Sequence, residues 1–370
     1  MKSYNHIFEK LIERENINIA IHNSSLGKRT RKEVEEVLKE PNVHIDKTIE
    51  LLVSRTFTIP KHKLIEINDG IVAKKRIIIQ PRYCYEQIIH HATVQVLKPI
   101  IMKGMYPYTC GSIPGRGAHY GKKYIEKFIR ENPKDVKYCF KLDVHHFFQS
   151  ISHSKLKELF RKKIHDPNMI WLLDLIVDGY VDHTSDSGEK YGIPIGYYTS
   201  QWFANWFLQG LDHYIKEDLG IKCYVRYMDD MVLFCSNKRE LHKVKDQVAD
   251  YLRSLDLDIK SNWQIFRFDY HDRKGARKGR FLDFMGFRFY RDRTILRKSI
   301  MLKTTRKAKR LSKKDRYSWY EASQMISYLG WFKSADMYGC YQRYIKDKVK
   351  VRDLKYKVSK HGKELSAHVC

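Results

Sequence analysis

The sequence predicts an α+β fold built around an antiparallel sheet. Three observations carry this. Strands and helices come in separate runs, not in βαβ alternation; residues 222–235 are β-rich on both sides of Asp229-Asp230, as in a hairpin; and the chain from Lys303 onward is helical in pattern. With 370 residues, 43% of them hydrophobic, there is room for two or three structural units and enough apolar side chain for a core, which excludes general disorder.

The elements follow in order. Residues 1–50 form a polar extension in which GKRTRKEVEEVL starts a helix near Arg31. The stretch 71–81, IVAKKRIIIQP, is an Ile-rich strand ended by Pro81. Ile88, Ala92 and Val96 keep helical spacing until Pro99 stops the pattern. GSIPGRG at 111–117 is a turn-rich loop, and a charged helix runs on to Asn132. Residues 138–144, YCFKLDV, are a short strand. Two helices fill 153–180, split at Asp166-Pro167, and one helix spans 199–218 with Phe203, Trp206, Phe207, Leu211 and Tyr214 on one face. After the hairpin, Leu241, Val244, Val248, Tyr251 and Leu255 mark one face of a further helix. Residues 263–290 are β-like, interrupted at 273–280 by RKGARKGR, which reads as an exposed basic loop suited to RNA. The expected divisions are 1–50, 51–296 and a basic helical segment with its tail at 297–370.

Lys and Arg number 70 against 43 Asp and Glu, a formal charge of +27, of which +12 falls in 303–370. A surface this basic repels itself unless a polyanion shares it, and nucleic acid is the first candidate. No stretch approaches the ~18–20 consecutive apolar residues of a membrane span. The N-terminus lacks an apolar core segment, so no signal or transit peptide is expected. Seven cysteines without a CxxC pair argue against a zinc knuckle and for reduced, cytoplasmic thiols. His90-His91 and His145-His146 suggest metal binding only superficially, because adjacent side chains do not converge.

The chemistry lies in carboxylates far apart in sequence. Asp143 ends the strand FKLDV, while Asp229 and Asp230 sit at the hairpin turn. Alone, Asp143 reads as a strand-end cap and the acidic pair as a solvated turn. If the strands are sheet neighbours, the acids converge, and two carboxylates ~4 Å apart repel by about 4 kcal/mol at an effective dielectric near 20. A cation between them removes that cost. Hard oxygen ligands with room for water and phosphate suit Mg²⁺, and two such ions can clamp an in-line displacement at phosphorus.

These residues resemble a known family. Tyr227-Met228-Asp229-Asp230 is similar to the YxDD box of reverse transcriptases. Lys141 to Phe148, KLDVHHFF, resembles their first palm motif, and Gly192-Ile193-Pro194-Ile195-Gly196 through Ser200-Gln201 resembles the motif beneath the incoming nucleotide. Phe284-Met285-Gly286-Phe287 resembles the hairpin that grips the primer. The resemblance implies a right-hand polymerase, with fingers and an antiparallel-sheet palm in 51–296 and a helical basic thumb in 297–370. It implies catalytic roles for Asp143, Asp229 and Asp230, with two Mg²⁺ ions on Asp143, Asp229 and the Val144 carbonyl. Deoxynucleotide substrates would meet Arg76, Phe148, Ile195, Gly196 and Gln201, with Phe148 excluding a ribose 2′-hydroxyl. The primer would meet Tyr227, Met285 and Gly286.

The order Ile195-Gly196-Tyr197-Tyr198-Thr199-Ser200-Gln201, together with SYLGWFKSADMYGCYQRYI at 327–345, resembles the enzymes of diversity-generating retroelements. That subtype implies a bacterial or phage-encoded protein that copies a template-repeat RNA into cDNA, misincorporating opposite adenine. Its partners would be the template RNA, the cDNA/RNA duplex and an accessory variability determinant protein, a basic helical pentamer. Ile195, apolar where accurate relatives place Gln, and Arg76 are the residues expected to lower fidelity. A retron-like, phage-defence or group II intron-like enzyme is the alternative, and a non-catalytic RNA-binding scaffold is a third reading.

Overall fold

Apolar residues recurring at i, i+3 and i+4, or in short β-branched runs, become helices and strands close to where the sequence places them. A computed structural model describes residues 3–69 and 74–367. The chain packs as two compact units: Met1–Pro114, Lys141–Val232 and His242–Gln264 in one, Gly115–Phe140, Leu233–Leu241 and Ile265–Cys370 in the other. These units follow packing, whereas the divisions at 50/51 and 296/297 follow expected role.

In the first unit, helices Arg14–Ser25 and Ile88–Lys103 pack together, burying Ile17, Ile21, Ile88 and Leu97. Each fully buried aliphatic side chain contributes about 1.5–3 kcal/mol relative to exposure. Pro99 does not end the second helix, which runs on to Lys103. It stands on an exposed face, where water can take over the one carbonyl that a proline leaves unserved. Trp202, Phe203 and Trp206 of helix Tyr198–Phe207 are buried, and the Phe160 ring lies 4.9 Å from Phe203 and 5.5 Å from Trp206. The single helix expected over 199–218 forms instead as Tyr198–Phe207, Gln209–His213 and Tyr214–Asp218, the last wound as a π-helix. The break falls at Leu208, beside Gln209, whose buried amide donates to the Ile101 carbonyl at 2.8 Å, a tertiary demand that apolar spacing does not encode. Asp166 caps helix Pro167–Asp178 by accepting from the N–H groups of Asn168 and Met169.

Strands Lys63–Asp69 and Lys74–Gln80 pair antiparallel, from Lys63 opposite Gln80 to Asp69 opposite Lys74. Residues 71–73 of the expected strand lie outside the described residues. The four-stranded sheet has the order Cys223–Tyr227, Asp230–Cys235, Tyr138–Asp143, Gln264–Arg267, so the strand that ends at Asp143 neighbours the one that begins at Asp230.

The second unit holds helix Ala118–Glu131, a three-stranded antiparallel sheet of Leu282–Phe284, Phe287–Phe289 and Thr294–Leu296, and helices Lys298–Leu311, Trp319–Lys333, Tyr338–Tyr344 and Val351–Ala367. Phe284, Phe287, Phe289, Met325 and Leu354 are buried here. RKGARKGR is not wholly a loop, because Arg277–Lys278 pairs with Tyr270–His271. Asp272 closes the turn between them, accepting from the N–H groups of Lys274 and Ala276 at 2.9 Å. This local bond supplies the reversal that the charged sequence conceals.

Candidate active site

The hairpin forms because CYVRY and DMVLFC are rich in β-branched and aromatic residues, and because Met228 between them takes a left-handed φ of 57°. Its turn meets the end of the Tyr138–Asp143 strand through the main chain: the Val144 N–H donates to the Asp229 carbonyl at 3.2 Å. On the other edge, the Lys260 N–H donates to the Asp143 carbonyl and the His145 N–H to the Asp258 carbonyl, both at 2.8 Å. In extended backbone a residue's N–H and C=O face the same edge, so the Val144 carbonyl faces the turn. Asp143, Asp229 and Asp230 are all half-buried. The Lys141 ammonium stands 3.7 Å from an Asp230 oxygen.

Among the described residues no group of three or more His, Cys, Asp or Glu is arranged as a metal cage. Magnesium needs none, since it takes one or two carboxylates and completes its shell with water and phosphate. A donor set of two aspartates beside one main-chain carbonyl fits that ion.

Beneath the turn lies a group that sequence reasoning missed. Arg226 and Asp212 are fully buried, with the guanidinium Nε and Nη2 on the two carboxylate oxygens at 2.7 and 2.6 Å. The Tyr224 hydroxyl donates to Asp212 at 2.7 Å and the Thr109 hydroxyl at 3.0 Å. Burial works against the charged guanidinium, but the Asp212 carboxylate outweighs it and holds the Arg226 pKa above its ordinary value. The signal available was an arginine inside the otherwise apolar run CYVRY.

Around the motif at 192–201, the Ile193 N–H donates to the Phe148 carbonyl at 2.8 Å. Phe147 is buried and Phe148 half-buried, so the second ring of the pair is the one that stays accessible. The Ile79 N–H donates to the Ile195 carbonyl at 2.8 Å. Gly196 has φ 130°, and a Cβ there would collide with the Ile79 carbonyl. Arg76 precedes Ile79 by three residues on the same strand, opposite Ile67; its side chain lies outside what is described. Tyr197 is anchored by His62, its hydroxyl 3.0 Å from Nε2, and His62 contacts buried Glu86. Of the histidine pairs, His90 is buried against Thr199 and His91 stacks on Tyr198, while His145 and His146 are exposed. Ser200 is buried, whereas Gln201 points to the exposed side of its helix. Tyr227 is half-buried at the strand end, and burial raises its hydroxyl pKa. Met285 and Gly286 belong to the second unit, where φ values of 50° and 85° make the two-residue turn of a tight hairpin.

No curated protein sequence is significantly similar to the chain. Among solved structures, it resembles apo telomerase from Candida tropicalis truncated from its C-terminal domain (14% identity, 65% of this chain and 55% of that one, TM-score 0.44). It also resembles telomerase from Candida albicans in complex with a TWJ fragment of telomeric RNA (11% identity, 78% and 56%, TM-score 0.46). The chain spans a little over half the length of each. Residues 59–289, more than half of the chain, match the reverse transcriptase (RNA-dependent DNA polymerase) family, whose fold is the right-hand polymerase. The chain therefore belongs to the reverse transcriptase family.

Proposed function

We propose that the protein is an RNA-directed DNA polymerase of the diversity-generating type, extending a primer by two-metal nucleotidyl transfer. The observation that carries the chemistry is the main-chain bond from Val144 to Asp229, which seats two acids 86 positions apart in the sequence on facing backbone edges. Magnesium held by Asp143, Asp229 and the Val144 carbonyl would supply charge neutralisation at phosphorus and a more acidic 3′-hydroxyl. Asp230, whose carboxylate stands 3.7 Å from the Lys141 ammonium, is the second acid of the turn and shares the catalytic role with Asp143 and Asp229. Phe148 presents a half-buried ring that leaves no space for a 2′-hydroxyl, and Arg76 can bind two phosphate oxygens at once. Tyr227, Met285 and Gly286 hold the primer. Ile195, Gly196 and Gln201 line the template–nucleotide side.

The subtype rests on Ser200-Gln201 and on the 327–345 segment. It brings with it a template-repeat RNA, an accessory pentameric partner and misincorporation opposite adenine. Primer extension on an RNA template with Mg²⁺ and deoxynucleotides tests both levels. Asp143→Asn and Asp229→Asn should each slow synthesis roughly a thousandfold, the rate equivalent of about 4 kcal/mol. Undiminished synthesis by either variant overturns the two-metal reading. Sequencing of the product should show errors concentrated opposite template adenine; an even spread over the four bases removes the subtype and leaves another bacterial reverse transcriptase.

A further inference from the structure

We propose that Arg226 is a positioning residue for the Asp229-Asp230 turn, acting through the main chain of Met228. The guanidinium has five N–H donors, and five bonds account for them. Nε and Nη2 reach the two Asp212 oxygens, and Nη2 also reaches the Asn205 carbonyl at 3.3 Å. Nη1 reaches the Asn205 side-chain oxygen at 3.0 Å and the Met228 carbonyl at 3.1 Å. That last bond is the only one of the five that leaves the buried polar cluster and enters the turn.

Met228 is where a support is needed. Its φ of 57° is left-handed and unfavourable for a side chain without a local polar group. Two further contacts converge on it. Asn205 Nδ2 lies 3.4 Å from the Met228 sulfur while donating to the Gly111 carbonyl at 3.0 Å. A Cβ on Gly111 would lie 2.6 Å from the Met228 nitrogen, so the two backbones are in direct contact. The residue before Asp229 is thus fixed from the side chain, the carbonyl and the amide. A buried ion pair is weak evidence for stability, since apolar residues of similar volume often serve as well. Its use here is geometric: a forked, fully bonded donor whose Nη1 arm joins the Asn205 side chain to the Met228 carbonyl and sets the height of the turn. Asp212 in turn is locked by Tyr224 and Thr109, so the cluster has no slack to pass on.

For its activity readout the inference rests on the polymerase reading; hydrogen exchange tests it independently. Arg226→Lys keeps a charge opposite Asp212 but has no second arm for Met228. In the full chain, with folding checked by circular dichroism and melting, it should lower kcat roughly 10–100-fold and leave the deoxynucleotide KM within about twofold. Amides of residues 227–230 should exchange about tenfold faster, with the Ile88–Lys103 helix unchanged. Should Arg226→Lys not fold, Arg226→Met combined with Asp212→Leu removes the pair whole, which buried pairs commonly tolerate, and the same readouts apply. A folded variant with wild-type kcat, or with unchanged exchange at 227–230, overturns the proposal. A wild-type chain that makes no DNA counts against the polymerase reading instead, and exchange still decides the role of Arg226.

Discussion

Gly196 shows how much one residue can be asked to do. Its φ of 130° belongs to glycine, and its missing Cβ makes room for the Ile79 carbonyl. Gly115 has a similar backbone demand, φ 77°, but nothing within 4 Å of its would-be Cβ. The two positions separate strain from close approach. Gly115→Ala should cost about 1 kcal/mol, the backbone share alone. Gly196→Ala should cost about 3 kcal/mol or more, because strain and collision add, and should weaken nucleotide use through the neighbouring Ile195. Urea denaturation of both variants measures this, and equal losses would show that the Ile79 contact is not a real constraint. The sequence displayed Gly196 as part of a motif but not its reason, because Ile79 is 117 positions away and reaches it through a backbone oxygen that no residue pattern reveals. Arg226 was hidden in the same way: its partners Asn205 and Asp212, and the Thr109 that bonds Asp212, come together only in three dimensions.

At the scale of elements, legibility followed locality. Asp166-Pro167 announced a helix start because cap and first-turn proline are neighbours in sequence. The hairpin at 223–235 was visible because two β-rich runs flank a short turn. Pro99 misled because it stands on the exposed face of its helix, where water can serve the carbonyl that the proline leaves without a donor and the helix runs on to Lys103. Helix Trp319–Lys333 has a local signal of the same kind, the box Ser318-x-x-Glu321, in which each side chain bonds the other's backbone N–H. Glu321 also accepts from the Lys314 ammonium at 2.8 Å. That bond, then the Ser318 N–H, pull its pKa from 4.5 to about 2. A carboxylate with a depressed folded pKa stabilises the fold above its unfolded value and loses that contribution as pH falls through the folded one. Melting temperatures of wild type and Glu321→Gln should therefore differ by a constant amount above pH 4.5 and converge as pH falls toward about 2. A gap that does not change with pH would mean that the carboxylate's charge adds nothing to the cap.

For the whole molecule the governing quantity is charge. The chain carries +27, and residues 303–370 hold 18 Lys and Arg against six acids. Two of those six already have structural work: Glu321 in the cap, and Asp336, which accepts from the Thr294 N–H at 2.7 Å. The segment's field is therefore set by its lysines and arginines. Repulsion among them is tolerable when a polyanion lies close, and binding then releases condensed counterions in proportion to the phosphates neutralised. With six or more phosphates contacted, the logarithm of affinity should fall against the logarithm of salt with a slope of about −5 or steeper. Fluorescence anisotropy with an RNA–DNA template–primer duplex, titrated at several KCl concentrations, reads that slope. Reversing Lys309 and Lys313, both exposed, to Glu should weaken binding to unrelated duplex sequences equally, because phosphate contacts carry no sequence information. A slope shallower than about −1 would detach the basic surface from nucleic acid, leaving its charge without a physical reason in this fold.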